Sequence, residues 1–299
     1  MKVLVTGGSG FIGSHLIDYL VDNNYEVINV DDCSANNEQF YFNKKAKNYK
    51  FNVTNTKRLM EVSGGCSFVF HLAAESRLQL ATQNPKKALD TNVGGTLSVL
   101  ECCREHGMGI IFSSTSSVYG LTNILPITED HKEDCLNPYA STKYAAELLI
   151  RNFNTLYGVP GTILRYFNVF GERAPCTGQY ALVTGIFLNQ RKSNTPLTVV
   201  GDGTQKRDFI YVKDVVHANF LSMTLQSEFP EIATATPFNI GSSTEISVID
   251  LAKTISSDII FVSKRKSEVL NNLCNNKKFS IKTGWSPTVS ILDWVRSQL

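Results

Sequence analysis

Tyr139 and Lys143 stand four residues apart in a stretch that opens with Asn137-Pro138, a helix N-cap residue followed by a proline suited to the first helical position. One helical turn separates them, so phenol and ammonium share a face. An ammonium beside a phenol favours the phenolate and lowers its pKa, which makes the tyrosine a general base for a substrate hydroxyl. The spacing alone is cheap, since Tyr41 and Lys45 repeat it in a polar connection of the same chain. Position singles out Tyr139 and Lys143. They follow the hydroxyl-rich run Ser113-Ser114-Thr115-Ser116-Ser117, which comes directly after the apolar run Ile110-Ile111-Phe112.

Hydroxyls at the end of a buried strand need a sheet to hold them, and the chain begins with the signature of one. Lys2-Val3-Leu4-Val5 meets Thr6-Gly7-Gly8-Ser9-Gly10-Phe11-Ile12-Gly13 and then a helical stretch from Ser14 to Val21. Glycines at 7, 10 and 13 allow a tight turn, close approach to a pyrophosphate, and packing of helix on strand, while the helix N-terminus aims its N–H groups at the phosphates. A second β-type run, Glu26 to Val30, ends at Asp31-Asp32, where a carboxylate can accept from ribose hydroxyls and repel a 2′-phosphate. The expected cofactor is NAD rather than NADP, with either aspartate available to the ribose.

β-like segments at Tyr49 to Val53, Ser67 to His71, Gly109 to Ser113 and Thr162 to Tyr166 alternate with helical ones, including Pro85 to His106. This rhythm predicts an α/β fold: a doubly wound parallel Rossmann sheet with ligands at the carboxyl ends of its strands, plus a smaller α/β lobe. The pattern turns irregular from Asn168 to Gly203 and again from Lys264 to Asn276, while Phe209 to Val212 and Pro237 to Ile240 read as returns to the first domain. The expected division is 1–168 plus about 204–243 for the NAD-binding domain, and about 169–203 plus 244–299 for the substrate lobe.

With 42% apolar and 19% charged residues the 299-residue chain has the composition of a globular protein, and its net charge of +2 is too small to imply nucleic acid. Seven scattered cysteines, no Cys-x-x-Cys pair and no leader before the first strand predict a reduced, cytoplasmic protein. No apolar run reaches membrane-spanning length and the five histidines lack ligand spacing, so neither membrane nor metal is expected.

The chain resembles the extended short-chain dehydrogenase/reductases that act on nucleotide sugars, of the UDP-glucose and UDP-N-acetylglucosamine 4-epimerase type. The resemblance rests on the glycine loop at 6–13, His71-Leu72-Ala73-Ala74, Asn92-Val93-Gly94-Gly95-Thr96, the hydroxyl cluster ending Val118-Tyr119-Gly120, Tyr139 to Lys143, Arg165 to Gly171, and Gly201-Asp202-Gly203 leading to Arg207 to Val212. It implies that Thr115 hydrogen-bonds the reacting sugar hydroxyl, Tyr139 is the acid/base, and Lys143 holds the nicotinamide ribose. For the cofactor it implies Gly7, Gly10, Phe11, Ile12 and Gly13, then Asp31, Asp32, Asn52 and Val53, then Leu72, Ala73, Ala74, Asn92, Ser113 and Tyr166. Asn52 replaces an aspartate common in the family near the adenine. For the substrate it implies Glu75, Arg77, Ser116 and Asn168, with Leu182 and Val183 near the base. Arg207 and Arg265 are the implied diphosphate cations, a pair suited to pyrophosphate.

Family dehydratases carry an Asp-Glu pair directly after the threonine, and decarboxylases keep a glutamate there. Serines 116 and 117 occupy those places, so the resemblance implies a 4-keto sugar that is reduced again on its other face, a 4-epimerisation of a UDP-hexose with NAD recycled. Asn272 aligns with a residue that sets pocket size in related epimerases, where a small side chain admits an N-acetyl group. Another NDP-sugar modification is the nearest alternative. A homodimer is expected through helices near Asn92 to Arg104 and Tyr139 to Phe153, with Leu97, Leu100, Ala146 and Leu149 available either to a partner or to the core.

Overall fold

A computed structural model describes residues 1–35, 40–122, 124–178, 181–229, 233–263 and 271–299. The first half runs β1 (Lys2–Thr6), α1 (Phe11–Asp22), β2 (Glu26–Asp31), β3 (Lys47–Lys50), α2 (Thr56–Ser63), β4 (Phe68–His71), α3 (Leu78–Gln83), α4 (Pro85–Leu89), α5 (Gly95–His106), β5 (Gly109–Thr115), α6 (Pro138–Tyr157) and β6 (Gly161–Tyr166). The second half runs β7 (Asn168–Phe170), α7 (Val183–Lys192), β8 (Leu197–Val200), β9 (Lys206–Tyr211), α8 (Val212–Glu228), β10 (Thr234–Ile240), β11 (Glu245–Ser247), α9 (Val248–Ile255), β12 (Ile259–Val262), α10 (Lys277–Thr283) and α11 (Ile291–Ser297).

Seven strands form one parallel sheet in the order β3-β2-β1-β4-β5-β6-β10. This is the doubly wound Rossmann arrangement, with the strand order reversing between β1 and β4. The apolar runs follow from burial on both faces. Val3 and Val5 enter a core shared with Leu16, Leu20 and Val215, while Leu4 between them enters another with Val99, Leu100 and Ile150. A third core, around Phe187, Leu197, Phe209, Leu251 and Trp294, gathers the later elements. Leu100 and Ala146, weighed above as dimer contacts, are fully buried inside the chain, whereas Leu97 remains exposed and Leu149 packs partly against the second core.

Three segments depart from the sequence expectation. The helix expected over Pro85 to His106 is split by a π-helical turn, Asp90–Gly94, which turns Asn92 inward. The irregular stretch from Asn168 contains β7, α7 and β8; the missing side chain of Gly185 lets α7 pack on the Pro175 carbonyl, 2.6 Å from where a Cβ would sit. Of the two expected returns, β10 joins the large sheet. β9 instead lies between β7 and β11 in a three-stranded sheet, and α8 after it packs back on α1.

The turn after β1 is tight for a physical reason. Gly7 has φ of +73°, and a Cβ there would lie 2.6 Å from the Ala73 nitrogen; a Cβ on Gly13 would overlap the Gly7 carbonyl. Gly10 differs, because its nearest atom would be 3.5 Å away. Its side of the turn is open. Gly13→Ala is expected to destabilise the protein by about 1–3 kcal/mol, the usual cost of overpacking, read as a lower urea midpoint. Gly94→Ala, with nothing within 4 Å of the added methyl, should leave the midpoint nearly unchanged.

Candidate active site

The carboxyl ends of the parallel strands open into a cleft of about 880 Å³. At its β2 end stand Asp31 and Asp32 with Asn52 and Val53; at β1 the turn presents Gly7, Gly10, Phe11, Ile12 and Gly13; at β4 follow Leu72, Ala73, Ala74 and Arg77. At the end of β5 come Ser113, Thr115 and Ser116 with Tyr139 and Lys143, then Tyr166, Asn168, Leu182, Arg207 and Asn272. Arg265 lies outside the described residues.

Three implied contacts do not line the cleft. Asn92 is buried and its amide grips the backbone of Glu75, accepting from the Glu75 nitrogen at 2.7 Å and donating to the Glu75 carbonyl and to Thr142. It supports the loop that carries Arg77. The Glu75 side chain is itself buried and pairs with Lys87 at 3.0 Å. Val183 begins α7 and packs into the third core, leaving the cleft wall to Leu182.

At the β2 end Asp31 receives the backbone nitrogens of Ser9 at 2.9 Å and Cys33 at 2.8 Å, which fixes its carboxylate beside the glycine turn. Burial raises its pKa against those two bonds. Asp32 is held by the Asn52 amide at 2.7 Å and caps Ser34. The helix N-terminus at Gly10 carries no side-chain cap, so its N–H groups and the open side of Gly10 suit an anion.

The Thr115 hydroxyl stands beside the Tyr139 phenol and receives the Ser117 backbone nitrogen at 3.1 Å. Burial pushes the Tyr139 phenol above its ordinary pKa, while the nearby Thr115 hydroxyl and then the Arg77 cation pull it down. The cation expected to act on the phenol was Lys143. Its ammonium lies instead 4.0 Å over the Phe112 ring, and burial lowers its pKa to about 7 against the opposing pull of Glu147. Tyr41, the decoy of the sequence pattern, is partly exposed and covers the Arg173 guanidinium at 4.4 Å.

At the far end Asn168 donates to the Asp208 carbonyl, and Asp208 donates its own N–H to the Asn272 carbonyl at 2.9 Å. The buried Asp208 carboxylate takes the Ser242 backbone and hydroxyl and the Cys274 backbone. One carboxylate thus seats the segments bearing Arg207 and Asn272, a role the sequence pattern did not reveal. The Asn272 amide points at Ser116 at 3.4 Å, and its Oδ1 is buried with no partner among the described residues. No carboxylate occupies 116 or 117.

A directed chain of hydrogen bonds underlies β1 and β4. Thr96 donates to the Asn92 carbonyl at 2.6 Å, so toward His71 Nε2, 3.0 Å away, it accepts. His71 Nδ1 then accepts from the Thr6 hydroxyl at 2.7 Å. The ring is fully buried, neutral and without room for a second proton.

Among the described residues no helix is long and apolar enough to cross a membrane, and no group of three His, Cys, Asp or Glu side chains is placed to hold a metal. All seven cysteines are free thiols.

The profile of the NAD dependent epimerase/dehydratase family matches residues 3–241. A putative UDP-glucose 4-epimerase of Methanocaldococcus jannaschii is 34% identical, with 98% of this chain and 96% of that protein covered. The crystal structure of a UDP-glucose 4-epimerase from Thermotoga maritima with UDP-glucose superposes with a TM-score of 0.91 at 32% identity, covering 99% and 96% of the two chains. A UDP-N-acetylglucosamine 4-epimerase from Methanobrevibacter ruminantium in complex with UDP-N-acetylmuramic acid gives 0.91 at 28% identity, again over 99% and 96%.

Burial of His71 lowers its pKa to about 3, with a smaller push from Lys143. A folded-state pKa below the unfolded one means that the unfolded chain binds the extra proton first as pH falls. Stability contributed by neutral His71 is complete above about pH 6.5 and declines below it by about 1.4 kcal/mol per unit. Relative to His71→Gln, the wild-type protein should therefore lose about 2 kcal/mol between pH 6.5 and 5, measured as urea midpoints at each pH.

Proposed function

Because the chain belongs to the NAD-dependent epimerase/dehydratase family, we propose that it inverts C4 of a UDP-hexose, glucose/galactose or their N-acetylated forms, through a transient 4-keto sugar. The observation that carries this reading is the Thr115–Tyr139 pair flanked by Ser116 and Ser117 with no carboxylate to eliminate water.

The residues present fit NAD. The uncapped N-terminus of α1 and the open side of Gly10 accommodate a pyrophosphate, and the Asp31 carboxylate, oriented by two backbone nitrogens, suits ribose hydroxyls and disfavours a 2′-phosphate. When bound, NAD would take the C4 hydride and give it back. Tyr139 takes the C4 hydroxyl proton as the hydride leaves and returns it afterwards. Thr115 aligns that hydroxyl, and Lys143, protonated in part near neutrality, stands one turn away. Arg207 and Asn168 would hold the diphosphate, leaving the sugar free to present its other face. Asn272, small and with an unpaired Oδ1, suits a polar substituent at C2. Across the α5–α6 face, exposed Leu97 and Leu148 would meet a second copy in a homodimer.

NMR of the purified protein with UDP-glucose, UDP-N-acetylglucosamine or UDP-glucuronate, without reductant, should show the C4 epimer of at least one neutral hexose. A 4-keto-6-deoxy or decarboxylated product would overturn the reading of Ser116 and Ser117. Tyr139→Phe should lower kcat at least about 100-fold, the scale of general acid/base catalysis, with cofactor still bound by absorbance. Asn272→Tyr should reduce kcat/KM for the N-acetylated sugar more than for the plain hexose, and an equal loss of both would remove Asn272 from specificity.

A further inference from the structure

Tyr139, Lys143 and Glu147 follow one another at four-residue steps along α6, so a third ionisable side chain continues the stripe begun by the first two. Glu147 is fully buried, which for a carboxylate demands partners. Both neighbouring strands supply them. From β5 the Ser114 hydroxyl donates to Oε1; from β6 Arg165 donates through Nε at 2.9 Å and a terminal nitrogen at 2.6 Å. Ser114 and Arg165 are register partners in the parallel ladder, so one carboxylate pins the helix to two strands at a single level. Next to Ser114 stands Thr115, which meets Tyr139, and two residues before it stands Phe112, whose ring carries the Lys143 ammonium.

Resting on the roles assigned to Tyr139 and Lys143 above, we propose that Glu147 is a positioning residue: it sets the height of α6 on β5 so that Tyr139 meets Thr115, and its negative charge helps Lys143 remain an ammonium. Lys143 lies over the Phe112 ring of β5, feels Glu147 one turn on along α6, and acts on neutral His71 of β4, while Tyr139 stands one turn before it on α6. Glu147 is met in turn by Arg165 and Arg151, and Arg165 by Glu133. Neutralising Glu147 removes one of the two carboxylates that meet Arg165 and leaves Glu133 as the other, so the balance of charge near Lys143 becomes more positive and favours loss of its proton. The Coulombic pull of Glu147 on Lys143 has the same sign.

The test uses full-length protein with [ε-13C]lysine, the Lys143 resonance being identified by its loss in Lys143→Met. In Glu147→Gln the Lys143 titration and the alkaline limb of kcat should both move down by about one pH unit; a Lys143 titration at the wild-type pH would overturn the charge role. Ser114→Ala, which removes only a hydroxyl, should keep the wild-type urea midpoint to within about 1 kcal/mol and lower kcat about tenfold at unchanged KM. Wild-type kcat in that variant would overturn the positioning role. If Glu147→Gln does not fold, Glu147→Met with Arg165→Met removes both members of the fully buried ion pair together, and wild-type kcat there would equally overturn it. Absence of turnover in the wild-type protein would count against the 4-epimerase reading, while the Lys143 titration still decides the charge role.

Discussion

Parallel pairing of seven strands brings every carboxyl end to one edge of the sheet, and the cleft depends on that constraint. Groups distant in sequence, from Gly7 to Tyr166, become neighbours because their strands are hydrogen-bonded in register. The reversal of strand order between β1 and β4 keeps that edge open, since helices leave in opposite directions on either side of it. Thr115 and Tyr139 then need only one further relation, the seating of α6 against β5.

That seating is built from charges removed from water. Glu147 and Arg165 are both fully buried, and each is tolerable only because the other is present and further donors and acceptors complete the set. The same low-dielectric surroundings depress Lys143 and His71, so the middle of the cleft floor holds a lysine near its titration point above a histidine that stays neutral. Burial supplies the electrostatic response as well as the rigidity.

The far wall is assembled differently. Asp208 in β9 joins its pieces by hydrogen bonds, through its backbone to Asn168 of β7 and to Asn272, and through its carboxylate to Ser242 and Cys274. A wall joined by such bonds permits side chains such as Arg207 and Asn272 to vary without disturbing the core below.

Periodicity and punctuation in the sequence were enough for the βαβ rhythm, the glycine turn, the strand-end hydroxyls and the Tyr139–Lys143 face, because each depends on local geometry of a few consecutive residues. The stretch from Asn168 to Gly203 looked irregular, yet it contains α7, in which Gly185 is required by packing, a role that sequence does not distinguish from a break. Asn92, Glu75 and Val183 were expected at the site from the family resemblance, yet only tertiary structure decides whether such a residue faces the cleft or supports what does. The resting place of Lys143 over Phe112, the role of Arg77 beside Tyr139, and the contacts of Glu147 and Asp208 arise from contacts between distant segments. Sequence alone determined which local pieces form and what chemistry they can carry; the environment of each charge, and hence its protonation, was decided by packing between elements, which no local pattern encodes.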